Sequence, residues 1–101
     1  MKTGLQNYND MYEYEKSELR SHLERLKDMR FKADTNDNPC NTHIEKFVSF
    51  MMGYATALYH TKQLTEKQYD TCMREVSSLA YDYVDVKDGY YYDYSKLLKK
   101  L

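Results

Sequence analysis

The sequence predicts a mainly α-helical chain, and three observations carry that expectation. Its β-branched aliphatics are one Ile (Ile44) and four Val (Val48, Val76, Val84, Val86), against ten Leu and six Met. Strands favour β-branched side chains, whereas Leu and Met lose little rotamer freedom in a helix. One Pro and three Gly are too little punctuation for a fold of many strands. Apolar residues also recur at three- and four-residue spacing over long stretches. The fold expected is all-α in the main: a three-helix domain over residues 1–101, with a central apolar helix in an αα-hairpin. A short acidic, Tyr-rich C-terminal segment, read as a small β-hairpin, completes it. A chain of 101 residues has room for one core.

Helix one is expected from about Asn9 to Lys32. Tyr12, Leu19 and Leu26 fall seven apart, with Leu23 and Met29 on neighbouring turns, which is one apolar stripe at helical period. Asp10, Glu13, Glu15 and Glu18 come early and Arg25, Lys27, Arg30 and Lys32 late, in the sense that the helix dipole favours. Ala33 to Thr42 reads ADTNDNPCNT, a loop by its Asn, Asp, Thr and Pro content. Asn38 precedes Pro39 and is pushed away from the helical region.

Helix two is expected from about His43 to Gln63, capped by Thr42 with Glu45 as the other half of a capping box. Ile44, Phe47, Val48, Phe50, Met51, Met52, Tyr54, Ala55, Ala57 and Leu58 give it apolar side chains on more than one face. Such a helix belongs at the centre of its domain. Gly53 and Ala57, four apart, would admit a close neighbour. Leu64 and Thr65 are read as the turn, and Thr65 with Gln68 as a second capping box opening helix three, which runs to about Tyr83. Tyr69, Cys72, Met73, Val76, Leu79, Ala80 and Tyr83 keep its 3-4 spacing.

From Val84 onward, Asp88-Gly89 lies between β-prone residues, a hairpin-turn signal. The rival reading continues helix three to a break at Gly89. Ser95 is read as the cap of a short final helix carrying Leu97, Leu98 and Leu101.

Several function classes are set aside on sequence grounds. Fifteen basic against sixteen acidic residues give a formal net charge of -1, whereas phosphate-binding proteins usually carry a basic excess. The bases of helix one (Lys16, Arg20, Arg25, Lys27, Arg30, Lys32) are interleaved with acids, which blunts the field that nucleic-acid binding depends on. No apolar run approaches the ~20 residues of a membrane span, and Met1 to Asp10 lacks the apolar stretch of a signal peptide. A cytoplasmic chain is expected, and Cys40 and Cys72 are read as reduced thiols.

Chemistry-bearing residues are few. Cys40 and His43 stand as Cys-x-x-His, and with His60 and Cys72 they make four metal-ligand types. Helix two, however, separates His43 from His60 by on the order of 25 Å at 1.5 Å per residue. Cys40 beside His43 also resembles the start of a thiol catalyst, without an orienting third group; the ordinary reading is an unreactive loop thiol. Gly4, Gly53 and Gly89 are isolated, so no phosphate loop is present. Met51, Met52 and Met73 are read as packing. No catalytic residue, metal or cofactor is expected, and the chain is read as non-enzymatic.

The segment that stands out is Tyr81 to Tyr94. It holds six of the twelve tyrosines, and four Asp against one Lys leave it at minus three. Tyr gives large contact area at low entropic cost. Carboxylates pair with Arg, and rings stack on guanidinium planes. The partner-binding residues expected are Tyr81, Asp82, Asp85, Asp88, Tyr90, Tyr91, Tyr92, Asp93 and Tyr94. The partner expected is a protein with a basic surface, including the nucleic-acid-binding surface of a larger machine. The expected role is inhibitor or adaptor, of the kind carried by phages and mobile elements. The alternative is a structural or assembly subunit, such as a homodimer, that oligomerises through the stripe of helix one.

Overall fold

The computed structural model describes residues 1–26, 39–81, 85–87 and 91–101, with 80–81, 85–87 and 91–93 described as backbone elements. The described chain is mostly helical. Its elements in order are α1 (Gly4–Leu26), α2 (Pro39–His60), α3 (Glu66–Tyr81), β1 (Asp85–Lys87), β2 (Tyr91–Asp93) and α4 (Ser95–Lys100).

Helix α1 begins five residues before the expected Asn9. Its start is fixed by a reciprocal cap: Thr3 N–H donates to Gln6 Oε1 at 2.7 Å, and Gln6 N–H donates to Thr3 Oγ1 at 3.1 Å. This is the same Thr-x-x-Gln signal that opens α3. A stripe counted from Tyr12 passes over Leu5 and Tyr8, yet Tyr8 is one of the most deeply buried side chains in the chain. The expected continuation to Lys32, with Met29, lies outside the described residues.

Helix α2 also begins early, at Pro39 and not His43. Proline suits the first helical position, because the N–H it lacks would have no intrahelical acceptor there. Thr42 therefore lies inside the helix and is not its cap. The C-terminus is His60 rather than Gln63. The turn that follows has Lys62 at φ 64°, with Gln63 N–H donating to the Leu58 carbonyl at 2.8 Å and Lys62 N–H to the Tyr59 carbonyl at 3.0 Å. That is a Schellman ending with Lys62 in the left-handed position usually held by Gly. Helix α3 starts as expected: Thr65 N–H donates to Gln68 Oε1 at 2.9 Å and Gln68 N–H to Thr65 Oγ1 at 3.1 Å.

Gly4 sits beside Gln63, and His22 lies against His43, so α1 runs antiparallel to α2. Their seam is lined with rings. Tyr8 stacks with Tyr12 and Tyr54 at centroid distances of 6.0 and 6.4 Å, and Tyr12 meets Phe47 at 5.8 Å. Helix α3 lies against both. The Tyr8 hydroxyl reaches the Cys72 carbonyl at 3.5 Å, a long hydrogen bond. Tyr69 stacks on Tyr59 at 4.7 Å, and its hydroxyl lies 3.2 Å from Thr56 Oγ1. Met51 is fully buried, and Met52 and Met73 pack against the same core.

Helix α2 is less enclosed than its composition suggests. Ile44, Phe47, Val48, Met51, Ala55 and Leu58 are buried, but Ser49, Phe50, Gly53 and Ala57 are exposed. A methyl added at Gly53 would meet nothing within 4 Å, so the Gly53/Ala57 pair does not seat a neighbour. The close approach is at Gly4 instead. Beyond α3, β1 and β2 pair antiparallel, with Asp85 opposite Asp93, Val86 opposite Tyr92 and Lys87 opposite Tyr91. The expected Asp88-Gly89 turn lies outside the described residues. Ser95 is the first residue of α4 and not its cap, a position taken by Tyr94.

Candidate functional site

The expected partner-binding residues occupy one end of the chain. Tyr81 closes α3, Asp85 opens β1, and Tyr91, Tyr92 and Asp93 make up β2. Asp82, Asp88 and Tyr90 lie outside the described residues. The register brings Asp85 and Asp93, eight residues apart in sequence, to opposite positions.

Tyr94 departs from that set. It is 7 % exposed and belongs to the core, and its hydroxyl donates to Asn41 Oδ1 at 2.7 Å. The physical reason is α4: Leu97 is fully buried, and Tyr94, three residues earlier at the cap of the same short helix, falls on the same face. A buried phenol needs a partner for its O–H, and Asn41, in the first turn of α2, supplies it. The segment is thus held at both ends, by Leu79 in α3 and by Tyr94 and Leu97.

The other candidates fall differently from their sequence reading. Cys40 is not a loop thiol: it lies in the first turn of α2 and is 1 % exposed. Burial pushes its thiol up to about 11, and a protonated, enclosed thiol is a poor nucleophile. Cys72 is also buried and free, its thiol pushed up by burial and by the nearby Glu75 charge. His43 and His60 lie on one continuous helix. Among the described residues no cluster of three or more His, Cys, Asp or Glu is arranged to hold a metal ion, and no helix is long and apolar enough to cross a membrane.

One juxtaposition is not legible in the sequence. His22 of α1 and His43 of α2 stack with ring centroids 4.0 Å apart and planes 7° from parallel. Arg25 Nη2 lies 2.6 Å from His22 Nδ1. The pair opens on a cleft of about 260 Å³ lined also by Glu15, Glu18, Lys46 and Phe50. His43 is held below the ordinary histidine range by burial, then by His22, Lys46 and Arg25. Cys-x-x-His draws attention to His43, but nothing in the spacing ties it to a residue 21 positions earlier. The pairing follows from the antiparallel register of two helices whose ends are both shifted from their expected places. The described lining carries carboxylates, imidazoles and an ammonium group but no hydroxyl or thiol.

No protein-family model, curated protein or solved structure matches this chain.

Proposed function

We propose that the chain is a non-enzymatic binding module that occupies a basic surface of a larger partner protein through its acidic, Tyr-rich stretch between Tyr81 and Asp93. In this reading α2 and α3 form the αα-hairpin, α1 lies across it, and the β1–β2 pair carries the recognition surface. The observation that carries the proposal is the concentration of charge and rings in one anchored segment. Asp82, Asp85, Asp88 and Asp93 stand against Lys87 alone, among Tyr81, Tyr83, Tyr90, Tyr91 and Tyr92. Asp85 and Asp93 sit opposite each other in register. Like charges opposed across a strand pair repel, and a cationic partner relieves that repulsion. Guanidinium groups suit the surface best, since they pair with carboxylates and stack on phenol rings. The nucleic-acid-binding surface of another protein has that chemistry, and occupying it would make the chain an inhibitor or adaptor.

Oligomerisation through α1 has less support. Leu19 and Leu23 of its stripe are buried within the chain's own core and Tyr12 and Leu26 pack against it, which leaves a second copy less apolar surface there.

The test uses a fluorescent deca-arginine peptide and the full chain, read by anisotropy. The parent binds, and added salt weakens the complex. The double variant Asp85→Lys/Asp88→Lys loses at least tenfold in affinity while its helical circular dichroism is unchanged. Equal affinity for parent and variant overturns the proposal.

A further inference from the structure

The stacked histidines serve no part of the binding surface proposed above, and their chemistry points elsewhere. An Arg side chain only donates hydrogen bonds. At 2.6 Å from Arg25 Nη2, His22 Nδ1 is therefore the acceptor, and a neutral His22 carries its hydrogen on Nε2. His43 lies against the face of that ring. Lys46 from α2, and Glu15 and Glu18 from α1, line the same cleft. We propose that the His22–His43 stack is a proton-sensitive clasp joining α1 to α2, which loosens when His43 gains a proton.

The sign follows from the neighbours. A cationic His43 loses water to burial, part of it on the face His22 covers, and shares its surroundings with the His22 ring, Lys46 and Arg25, all of which disfavour the charge. Glu15 and Glu18 act in the opposite sense, but the net direction for His43 is downward. The folded chain then binds fewer protons than the unfolded one, so stability rises with pH. The contribution is complete above the unfolded histidine value of ~6.5. It is lost as pH falls below that value toward the lower folded one.

The clasp is tested by urea denaturation of the full chain at pH 7.5, 6.5 and 5.5, beside His43→Phe, which keeps a ring on His22 and removes the titrating group. The parent midpoint should fall over this range and that of the variant should fall clearly less. An equal fall in both overturns the clasp. Should the variant not fold, the unaltered chain still decides, through the assigned His43 ring proton followed by NMR. Titration at lower pH in the folded than in the urea-unfolded chain supports the clasp, and titration at the same or higher pH overturns it.

Discussion

Position 4 turns on a single methyl group. Alanine is the better helix former by about 1 kcal/mol, so Gly4 near the start of α1 is unfavourable on propensity alone. Its place is set by the turn after α2. A Cβ at position 4 would lie 2.7 Å from the Gln63 carbonyl carbon and closer still to its oxygen. That backbone has little freedom to yield, since Gln63 N–H is itself bonded to Leu58 at 2.8 Å. Gly4→Ala should therefore lower stability by about 1–3 kcal/mol, the usual range for an overpacked contact, as read from urea denaturation. A gain in stability would mean that α1 slides freely on the turn. The tyrosines show the same dependence on neighbours. Tyr8 and Tyr12 line the ring-rich seam, and Tyr12 is pushed up to about 12 by burial and by the charges of Glu75 and Glu13. Composition alone cannot tell such a ring from one that serves recognition.

Among the elements, the turn between α2 and α3 holds an uncommon ending. Lys62 adopts φ 64°, a conformation that costs a non-Gly residue roughly 1–2 kcal/mol. Part of that cost reappears as the greater backbone entropy of glycine in the unfolded chain. Lys62→Gly should still stabilise the chain by about 0.5–1 kcal/mol, the difference between those two costs, seen as a higher denaturation midpoint with an unchanged slope; a fall would show that the lysine side chain matters more than its backbone. The elements differ in how far the sequence discloses them. Helix α3 is legible because Thr65 and Gln68 stand directly before a regular apolar spacing. The starts of α1 and α2 are not. The Thr3/Gln6 cap precedes a stretch whose only early apolar residues are Leu5 and Tyr8, and Pro39 reads as a loop residue until it is placed at a helical first position. The acidic, Tyr-rich segment proposed to bind is legible as composition and chain position, whereas the inward turn of Tyr94 depends on where α4 seats Leu97. The imidazole stack depends wholly on how two helices align.

On the scale of the whole molecule, the question is whether its ends unfold together. The molecule is elongated, 47 × 20 × 20 Å, and its buried residues, Cys40 and Cys72 among them, make one cluster. The two cysteines report on different parts of it. Cys40 lies in the first turn of α2 near the Asn41–Tyr94 contact, while Cys72 meets Tyr8, which stacks on Tyr54. Residues 40 and 54 are separated by about 20 Å along one helix. Both thiols are buried, so a thiol reagent reaches them through opening. Leu97→Ala removes a fully buried side chain at the end where Tyr94 meets Asn41. The expected cost is about 2–5 kcal/mol, enough to raise the open population by roughly 30-fold or more. If the chain is a single cooperative domain, the variant should speed labelling of Cys40 and Cys72 by the same factor. Faster labelling of Cys40 alone would mean that the end bearing α4 opens by itself. The acidic, Tyr-rich segment would then be anchored to a local, separately opening unit, and not to the whole helical body.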